Sequence, residues 1–220
     1  VVEQADVPLL EGRLPADVRW IHQRPAEPEM PYSRSWAFNT GVRATRGSFV
    51  VLHDNDVIAP RHYAAEVLRL GKAGFEAMRL QRFVFYLDHD STSQFTSCEE
   101  VGRLGTDGLR PELVRQNCEG HTIAVSREAY LRIGGHDEAF LGWGGEDNEF
   151  YDRCRLLRFH PWGYLPFLHL WHAPQPGKLK PSGALAYLDE AMSVPRAERA
   201  RRLSSLPFGS QNGPLLGRSS

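Results

Sequence analysis

Two aspartates separated by one residue follow an apolar run in the first third of the chain. Asp54 and Asp56 come directly after residues 48–53, which have the composition of a buried strand. Two carboxylates this close repel each other and lose hydration on burial, unless they reach water or enclose a positive charge. Hard divalent cations such as Mg²⁺ and Mn²⁺ take carboxylate oxygens and complete their shells with water and phosphate. The pair could therefore hold a metal against a diphosphate, although the segment taken alone favours an ordinary polar turn.

A second candidate site is the acidic segment LGWGGEDNE, residues 141–149. Paired glycines let the backbone turn tightly or approach a ligand closely, and a tryptophan offers a flat apolar face on which sugar rings stack. The acids come at the start of a helical pattern, where the helix dipole favours ionised carboxylates, and an ionised carboxylate is a base. Helix capping explains one of the acids but not the residues before them. The candidate site residues are Trp143, Gly144, Gly145, Glu146 and Asp147.

Three further polar side chains could serve such sites. His169 and His172 follow a strand pattern, and neutral imidazole is a common metal ligand. If the strand continues through both, alternation places them on opposite faces, so at most one is expected to face the site. Arg34 lies between two serines near the start of a helical pattern and is suited to bidentate contact with phosphate. For single residues of these types, a structural role or solvent exposure is the alternative.

The elements that must position these residues alternate between strands and helices. Strands are predicted over 1–4, 48–53, 83–87, 122–125 and 164–169, and helices over 31–46, 60–71, 126–133, 184–192 and the residues beyond 146. Such alternation favours an α/β sandwich with a largely parallel sheet, in which ligands bind at the carboxyl ends of the strands. Asp54 and Asp56 lie at one such end. The polar stretch 88–108 is predicted to be a loop.

Composition narrows the function classes. The 220 residues carry 26 basic and 27 acidic side chains, a formal net charge of −1, so no overall charge favours nucleic acid as a partner. The spacing of Cys98, Cys118 and Cys154 excludes a paired-cysteine metal motif, and their odd number favours a reducing compartment. The lack of a basic-then-apolar signal pattern and of a membrane span makes a cytoplasmic location the expectation. No run approaches the roughly 18 apolar residues of a membrane span, so no transmembrane segment is predicted.

Three segments, taken in order, resemble the GT-A glycosyltransferases: YSRSWAFNTGVRATRGSFVVLHDNDVIAP, GGHDEAFLGWGGEDNEFYDR and HLWH. The similarity is greatest to the β-1,4-galactosyltransferase and bacterial family-2 groups and looser to the polypeptide N-acetylgalactosaminyltransferases, and GWGGED is its most specific part. It implies a GT-A-like (Rossmann-like), mostly parallel sheet sandwiched by helices over residues 1–173, with 174–220 a C-terminal helical appendage and flexible tail. Family members begin with a further strand and helix, so this chain is expected to enter the fold at the second strand.

The resemblance also implies an activity. It implies an inverting hexosyltransferase that depends on Mn²⁺ or Mg²⁺ and moves a galactose-type or N-acetylhexosamine-type sugar from a nucleotide-diphosphate donor, with UDP as the expected nucleotide. The acceptor would be a saccharide or another hydroxyl compound. The implied roles are metal ligation by Asp56 and His172 with His169 in reserve, nucleotide binding by Arg34 and Asp54, sugar binding by Trp143, Gly144, Gly145 and Glu146, and base catalysis by Asp147.

Two departures from the galactosyltransferase pattern leave the donor sugar and the acceptor open. Asn148 replaces another acid, and residues 88–108 have no clear counterpart. Two other functions remain as alternatives: a degenerate protein that binds a sugar or nucleotide without turnover, and a metal-dependent phosphohydrolase that uses the same carboxylates.

Overall fold

The computed structural model describes residues 1–95, 110–174 and 183–210, and the chain forms two compact units. The first comprises Val1–Val50, Arg127–Leu156 and Gln175–Ser220, and the second comprises Val51–Ser126 and Leu157–Pro174. Both helices and sheets are present, which confirms the predicted α/β class. In the described ranges, no helix is both long enough and apolar enough to cross a membrane.

In the described ranges the chain forms ten strands and seven helices. The strands are β1 (Val2–Gln4), β2 (Ile21–Gln23), β3 (Phe49–His53), β4 (Val57–Ile58), β5 (Ala77–Met78), β6 (Gln81–Leu87), β7 (Pro111–Gln116), β8 (Thr122–Ser126), β9 (Phe159–His160) and β10 (Leu165–His169). The helices are α1 (Arg34–Ala44), α2 (Tyr63–Lys72), α3 (His89–Phe95), α4 (Arg127–Arg132), α5 (Glu146–Cys154), α6 (Ala184–Ser193) and α7 (Arg196–Ser204).

The first unit packs helices around buried aromatic side chains. Trp36 of α1, Tyr130 of α4 and Phe150 of α5 are all fully buried, and the Tyr130 and Phe150 rings lie 5.4 Å apart. Helix α1 begins where Ser33 accepts a hydrogen bond from the Trp36 backbone N–H, an N-cap that satisfies one free donor of the first turn. Strands β1 and β2 form a parallel pair in the same unit.

A buried charge network connects α5 to α7 within this unit. The Glu149 carboxylate accepts hydrogen bonds from Arg153 at 2.7 and 2.6 Å and a further one from Arg199 of α7. Arg199 also donates to Asp152, which pairs with Arg196 at 3.0 Å. Glu149 and Arg153 are fully buried and Arg199 is 2% exposed, so each charge is compensated by a partner and not by water.

The second unit contains two four-stranded sheets, in the orders β4-β10-β6-β7 and β3-β8-β5-β9, apart from the first two residues of β3, which belong to the first unit. In the first sheet β10 is parallel to β6, but β4 and β7 are antiparallel to their neighbours. The sheets are therefore mixed, where a largely parallel sheet was predicted. The sequence did not signal the antiparallel strands because β4 has two residues and β7 is exposed throughout, so neither shows the apolar pattern of a buried strand.

The predicted loop over 88–108 is wrong for its first part. Residues His89–Phe95 form α3, and residues 96–109, with Cys98, lie outside the described residues. The helix begins because the Asp88 carboxylate accepts a 2.6 Å hydrogen bond from the Ser91 backbone N–H, the contact of an N-cap aspartate. The polar composition of the segment concealed this cap.

We expect Arg199→Met to lower the free energy of unfolding of the protein by about 3 kcal/mol. The substitution removes one member of a buried charge network and leaves part of the Glu149 charge uncompensated. Urea denaturation would measure the loss, with Arg201→Met, at an exposed position of the same helix, as the control. Equal effects of the two substitutions would show that the network does not stabilise this unit.

Candidate functional site

Three potential metal ligands lie together in the second unit. Asp56, His169 and His172 each offer one ligand atom, and these atoms all lie within 4.8 Å of one another. The Asp56 Oδ2 atom is 3.1 Å from His172 Nε2 and 3.6 Å from His169 Nε2. All three side chains are partly buried, so water reaches the cluster.

Strand pairing explains why these distant residues meet. Strand β4 runs antiparallel to β10, with Val57 opposite His169, so the residue before β4 lies beside the residue after β10. The backbone N–H of Leu170 donates to the Asp56 carbonyl at 2.7 Å and closes this end of the pair. Asp56 is therefore placed by a strand that the sequence did not reveal.

The hydrogen bonds of the two histidines turn their Nε2 atoms towards the carboxylate. His169 Nδ1 lies 2.8 Å from the Leu170 carbonyl and His172 Nδ1 lies 2.9 Å from the Ala173 carbonyl. A carbonyl only accepts, so each Nδ1 carries the hydrogen, and in a neutral ring Nε2 is left as an acceptor. Two imidazole acceptors then face a carboxylate, an arrangement that is favourable only with a cation between them, either a proton or a metal ion.

Both histidines face Asp56, so the prediction that at most one of them would face the site is wrong. Strand β10 ends at His169, and alternation does not extend to His172 in the irregular segment beyond it. Of the two aspartates, Asp56 belongs to the cluster found in the described ranges. The Asp54 backbone N–H donates to the His121 carbonyl at 2.9 Å, and its role towards a nucleotide stays a prediction.

Sequence reasoning missed Tyr86 and His121, which lie next to the metal-ligand cluster. Tyr86 on β6 stacks against His169, with ring centroids 4.3 Å apart and planes at 22°. The Tyr86 hydroxyl is 2.6 Å from His121 Nε2. Burial is the main cause that raises the pKa of Tyr86 to about 12, and the charges of Asp56 and Asp54 add to the rise, so the hydroxyl keeps its proton at neutral pH. Period-2 patterning along β6 could have placed Tyr86 on a face, but not opposite His169.

The glycine-rich acidic segment lies in the first unit and forms the tight turn that its sequence predicted. Gly144 and Gly145 have φ angles of 105° and 89°, a region that favours glycine. A Cβ atom at Gly145 would lie 2.9 Å from a ring carbon of Phe140, so the turn also requires the small residue for space. Helix α5 begins directly after it, and Trp143 precedes it with 55% of its surface exposed.

Arg34 lies against the two acids that open α5. Its guanidinium donates to Asp147 at 2.6 Å and to Glu146 at 3.4 Å, and it covers the Phe38 ring at 4.6 Å. Burial raises the pKa of the Glu146 carboxyl, and the Asp147 charge adds to the rise while Arg34 opposes it. The structure thus brings Arg34, Glu146 and Asp147 together, and the predicted contact of Arg34 with a nucleotide stays a prediction.

The comparisons with known proteins agree with part of the sequence resemblance. Residues 104–163 match the family model described as the N-terminal domain of galactosyltransferase. The resemblance to galactosyltransferases is confirmed over these residues, which make up less than half of the chain and include residues 141–149. No curated protein matches the chain.

Several solved structures are similar to the chain at low identity. The catalytic domain of Drosophila beta1,4galactosyltransferase 7 in complex with xylobiose is 16% identical, with a TM-score of 0.43 and coverage of 72% of this chain and 63% of that one. GalNAc-T7 with UDP, GalNAc and Mn²⁺ is 17% identical, with a TM-score of 0.49 and coverage of 84% and 39%. Glucosyl-3-phosphoglycerate synthase from Mycobacterium tuberculosis with Mn²⁺, uridine-diphosphate-glucose and phosphoglyceric acid is 19% identical, with a TM-score of 0.47 and coverage of 88% and 68%. The chain thus spans less than two thirds of the Drosophila enzyme.

We expect Glu146→Gln to become more stable relative to the wild type as pH rises above the ordinary glutamate pKa of 4.5. Because the pKa of Glu146 is raised in the folded chain, the folded state holds a proton that the unfolded state has lost, and wild-type stability falls over that interval. Glutamine does not titrate, so the stability of the variant does not fall for this reason over the same pH interval. Urea denaturation of both proteins at about pH 4 and about pH 8 measures the difference, and a pH-independent difference would contradict the assignment.

Proposed function

We propose that this protein is a metal-dependent inverting glycosyltransferase. It would transfer a hexose of the galactose or N-acetylhexosamine type from a nucleotide-diphosphate sugar, with UDP as the expected nucleotide, to a saccharide or another hydroxyl acceptor. The observation that carries the proposal is the cluster of Asp56, His169 and His172, whose ligand atoms lie within 4.8 Å of one another. The family match over residues 104–163 and the segment 141–149 inside it support the choice of sugar transfer.

The chemistry of the cluster fits a divalent ion with mixed oxygen and nitrogen preference. Asp56 supplies a carboxylate, and His169 and His172 supply Nε2 atoms fixed by their Nδ1 hydrogen bonds. Mg²⁺ is usually held by carboxylates and phosphates, so two imidazoles favour Mn²⁺ over Mg²⁺. When bound, the ion would neutralise the charge that develops on the departing nucleotide diphosphate.

The proposed reaction is a single displacement at the anomeric carbon. The acceptor hydroxyl gives its proton to a carboxylate, and its oxygen forms a bond to the anomeric carbon. The bond from that carbon to the phosphate oxygen breaks, and its electron pair leaves with the nucleotide diphosphate. The transition state has oxocarbenium character, by analogy with glycoside hydrolysis.

The acids at the start of α5 supply the base in this proposal. Asp147 accepts the proton of the acceptor, and Arg34, which lies 2.6 Å from it, holds the carboxylate in position. Glu146 and the exposed Trp143 bind the sugars, the tryptophan by stacking on a ring face. The turn at Gly144 and Gly145 lets the backbone come close to a ligand. Asp54 serves the nucleotide.

We expect His169→Ala and His172→Ala each to weaken Mn²⁺ binding strongly. Loss of a residue that only orients a metal ligand costs roughly 10- to 100-fold in affinity, and loss of a ligand itself should cost more. Each substitution removes a direct ligand of the proposed ion. Isothermal titration with Mn²⁺ would measure the affinity, with His62→Ala, at an exposed position of the same unit, as the control. Tight Mn²⁺ binding by both variants would remove the cluster from the proposal.

The activity itself is tested with Mn²⁺, a panel of sugar nucleotides that includes UDP-galactose and UDP-N-acetylgalactosamine, and saccharide acceptors. Asp147→Asn should lower the rate of transfer by about 10²- to 10⁴-fold, the usual contribution of a general base, while donor binding is retained. Asp189→Asn, at an exposed position of α6, is the matched control. Mass spectrometry of the product and titration of the donor give the two readouts.

The same assay separates the alternatives. Donor binding without product, with every acceptor tried, would favour a degenerate binding protein. Release of inorganic phosphate from simple phosphoesters would favour a phosphohydrolase. If no sugar nucleotide binds with Mn²⁺ present, the transferase proposal is wrong.

A further inference from the structure

We propose that Tyr86, anchored by His121, is a positioning residue for the metal-ligand cluster and fixes the imidazole ring of His169. This inference rests on the proposed metal site and extends it to two residues beside the cluster of Asp56, His169 and His172. The contacts that carry it are all within the second unit.

Two contacts fix the orientation of the His169 ring. Its Nδ1 atom is held 2.8 Å from the Leu170 carbonyl, and one ring face stacks on Tyr86 with centroids 4.3 Å apart. A hydrogen bond at one edge defines the direction of the ring, and a flat aromatic neighbour defines its plane. Together they leave the Nε2 atom pointing towards Asp56. A ligand held in this way loses less freedom when an ion binds.

Tyr86 is itself held by neighbouring strands and by His121. Strand β6 lies between β10 and β7, and His169 is the residue opposite Tyr86 on β10. The guanidinium of Arg115 on β7 lies 5.5 Å from the Tyr86 ring centre. The hydroxyl at the end of the ring meets His121 Nε2 at 2.6 Å. Tyr86 is thus fixed at its backbone by two neighbouring strands and at its tip by a hydrogen bond.

His121 connects two parts of the site. Its side chain contacts Tyr86, while its carbonyl accepts the Asp54 backbone N–H at 2.9 Å, two residues before Asp56. His121 has a φ of 64°, a conformation that a non-glycine residue rarely adopts and that persists only where surrounding contacts hold it. Cys118 Sγ lies 3.8 Å from its Nδ1 atom. One strained residue thus fixes both the segment that carries the carboxylate ligand and the tyrosine that orients the imidazole.

We therefore expect the Mn²⁺ affinity to fall in the order wild type, Tyr86→Phe, Tyr86→Leu. Leucine removes the stacked ring and should weaken binding by about tenfold or more, the lower end of the effect of an outer-shell partner. Phenylalanine keeps the ring but loses the anchor to His121, so a smaller loss is expected. Titration with Mn²⁺ gives the affinities, and the visible absorption of Co²⁺ in the same site reports the ligand geometry, which should change in both variants.

The controls separate positioning from general packing. Tyr164→Phe and Tyr164→Leu alter a tyrosine of the same unit whose hydroxyl bonds to Glu66, and both should keep the wild-type Mn²⁺ affinity and Co²⁺ spectrum. If Tyr86→Leu does not fold, Tyr86→Phe decides the question, because it keeps the ring. Wild-type affinity and an unchanged Co²⁺ spectrum in the folded Tyr86 variants would overturn the inference.

The outcome is also distinct from that of the proposed function. If the wild type binds Mn²⁺ and the Tyr86 variants bind it less tightly, the inference stands even where no sugar is transferred. If the wild type binds neither Mn²⁺ nor Co²⁺, the metal site and the inference are both overturned.

Discussion

Glu149 accepts hydrogen bonds from two buried guanidinium groups, one on its own helix and one on α7, and this contact joins the two helices within the first unit. A buried carboxylate is costly unless charged donors surround it, so α5 and α7 cannot separate without exposing an uncompensated charge. Arg153 also donates to the carbonyl of Ile133, the residue that follows α4, at 2.6 Å. The helix that begins with Glu146 and Asp147 is therefore fixed by charges placed one turn further along.

The Asp56 cluster of the second unit is arranged differently from the Glu149 network. The Asp56 carboxylate meets two imidazoles whose Nδ1 atoms already donate to carbonyls, so the chain supplies acceptors and leaves the cation to come from outside. The Glu149 network thus includes its own counter-ions, whereas the Asp56 cluster would be completed by a proton or a metal ion. Binding of an ion there would depend on ligands held in place in advance, to which the pairing of β4, β10 and β6 contributes.

The sequence predicted most of the long helices and strands. The strand before Asp54, the helix after Gly145 and the turn at Gly144 and Gly145 were predicted from patterns in which each residue type has a local reason to be there. Such features depend on neighbours in the chain. They can therefore be read from one sequence.

The features that the sequence did not reveal depend on pairing between distant segments. Strand β4 is too short to show a period, and the stacking of Tyr86 on His169 depends on the register between β6 and β10. Both histidines face Asp56 because β10 ends at His169. Strand ends are set by pairing partners as much as by local propensity. The contact of Arg34 with Asp147 likewise joins helices far apart in sequence.

The pairing of β4 with β10 has a consequence for the integrity of the second unit. Asp56 lies near the residue at which the chain enters this unit, and His172 lies near the residue at which the chain finally leaves it. An ion held by both would act as a removable cross-link between the two ends of the unit. Closing so long a loop restricts the unfolded chain in the way that a disulfide does, so an ion bound for catalysis would also stabilise the folded unit.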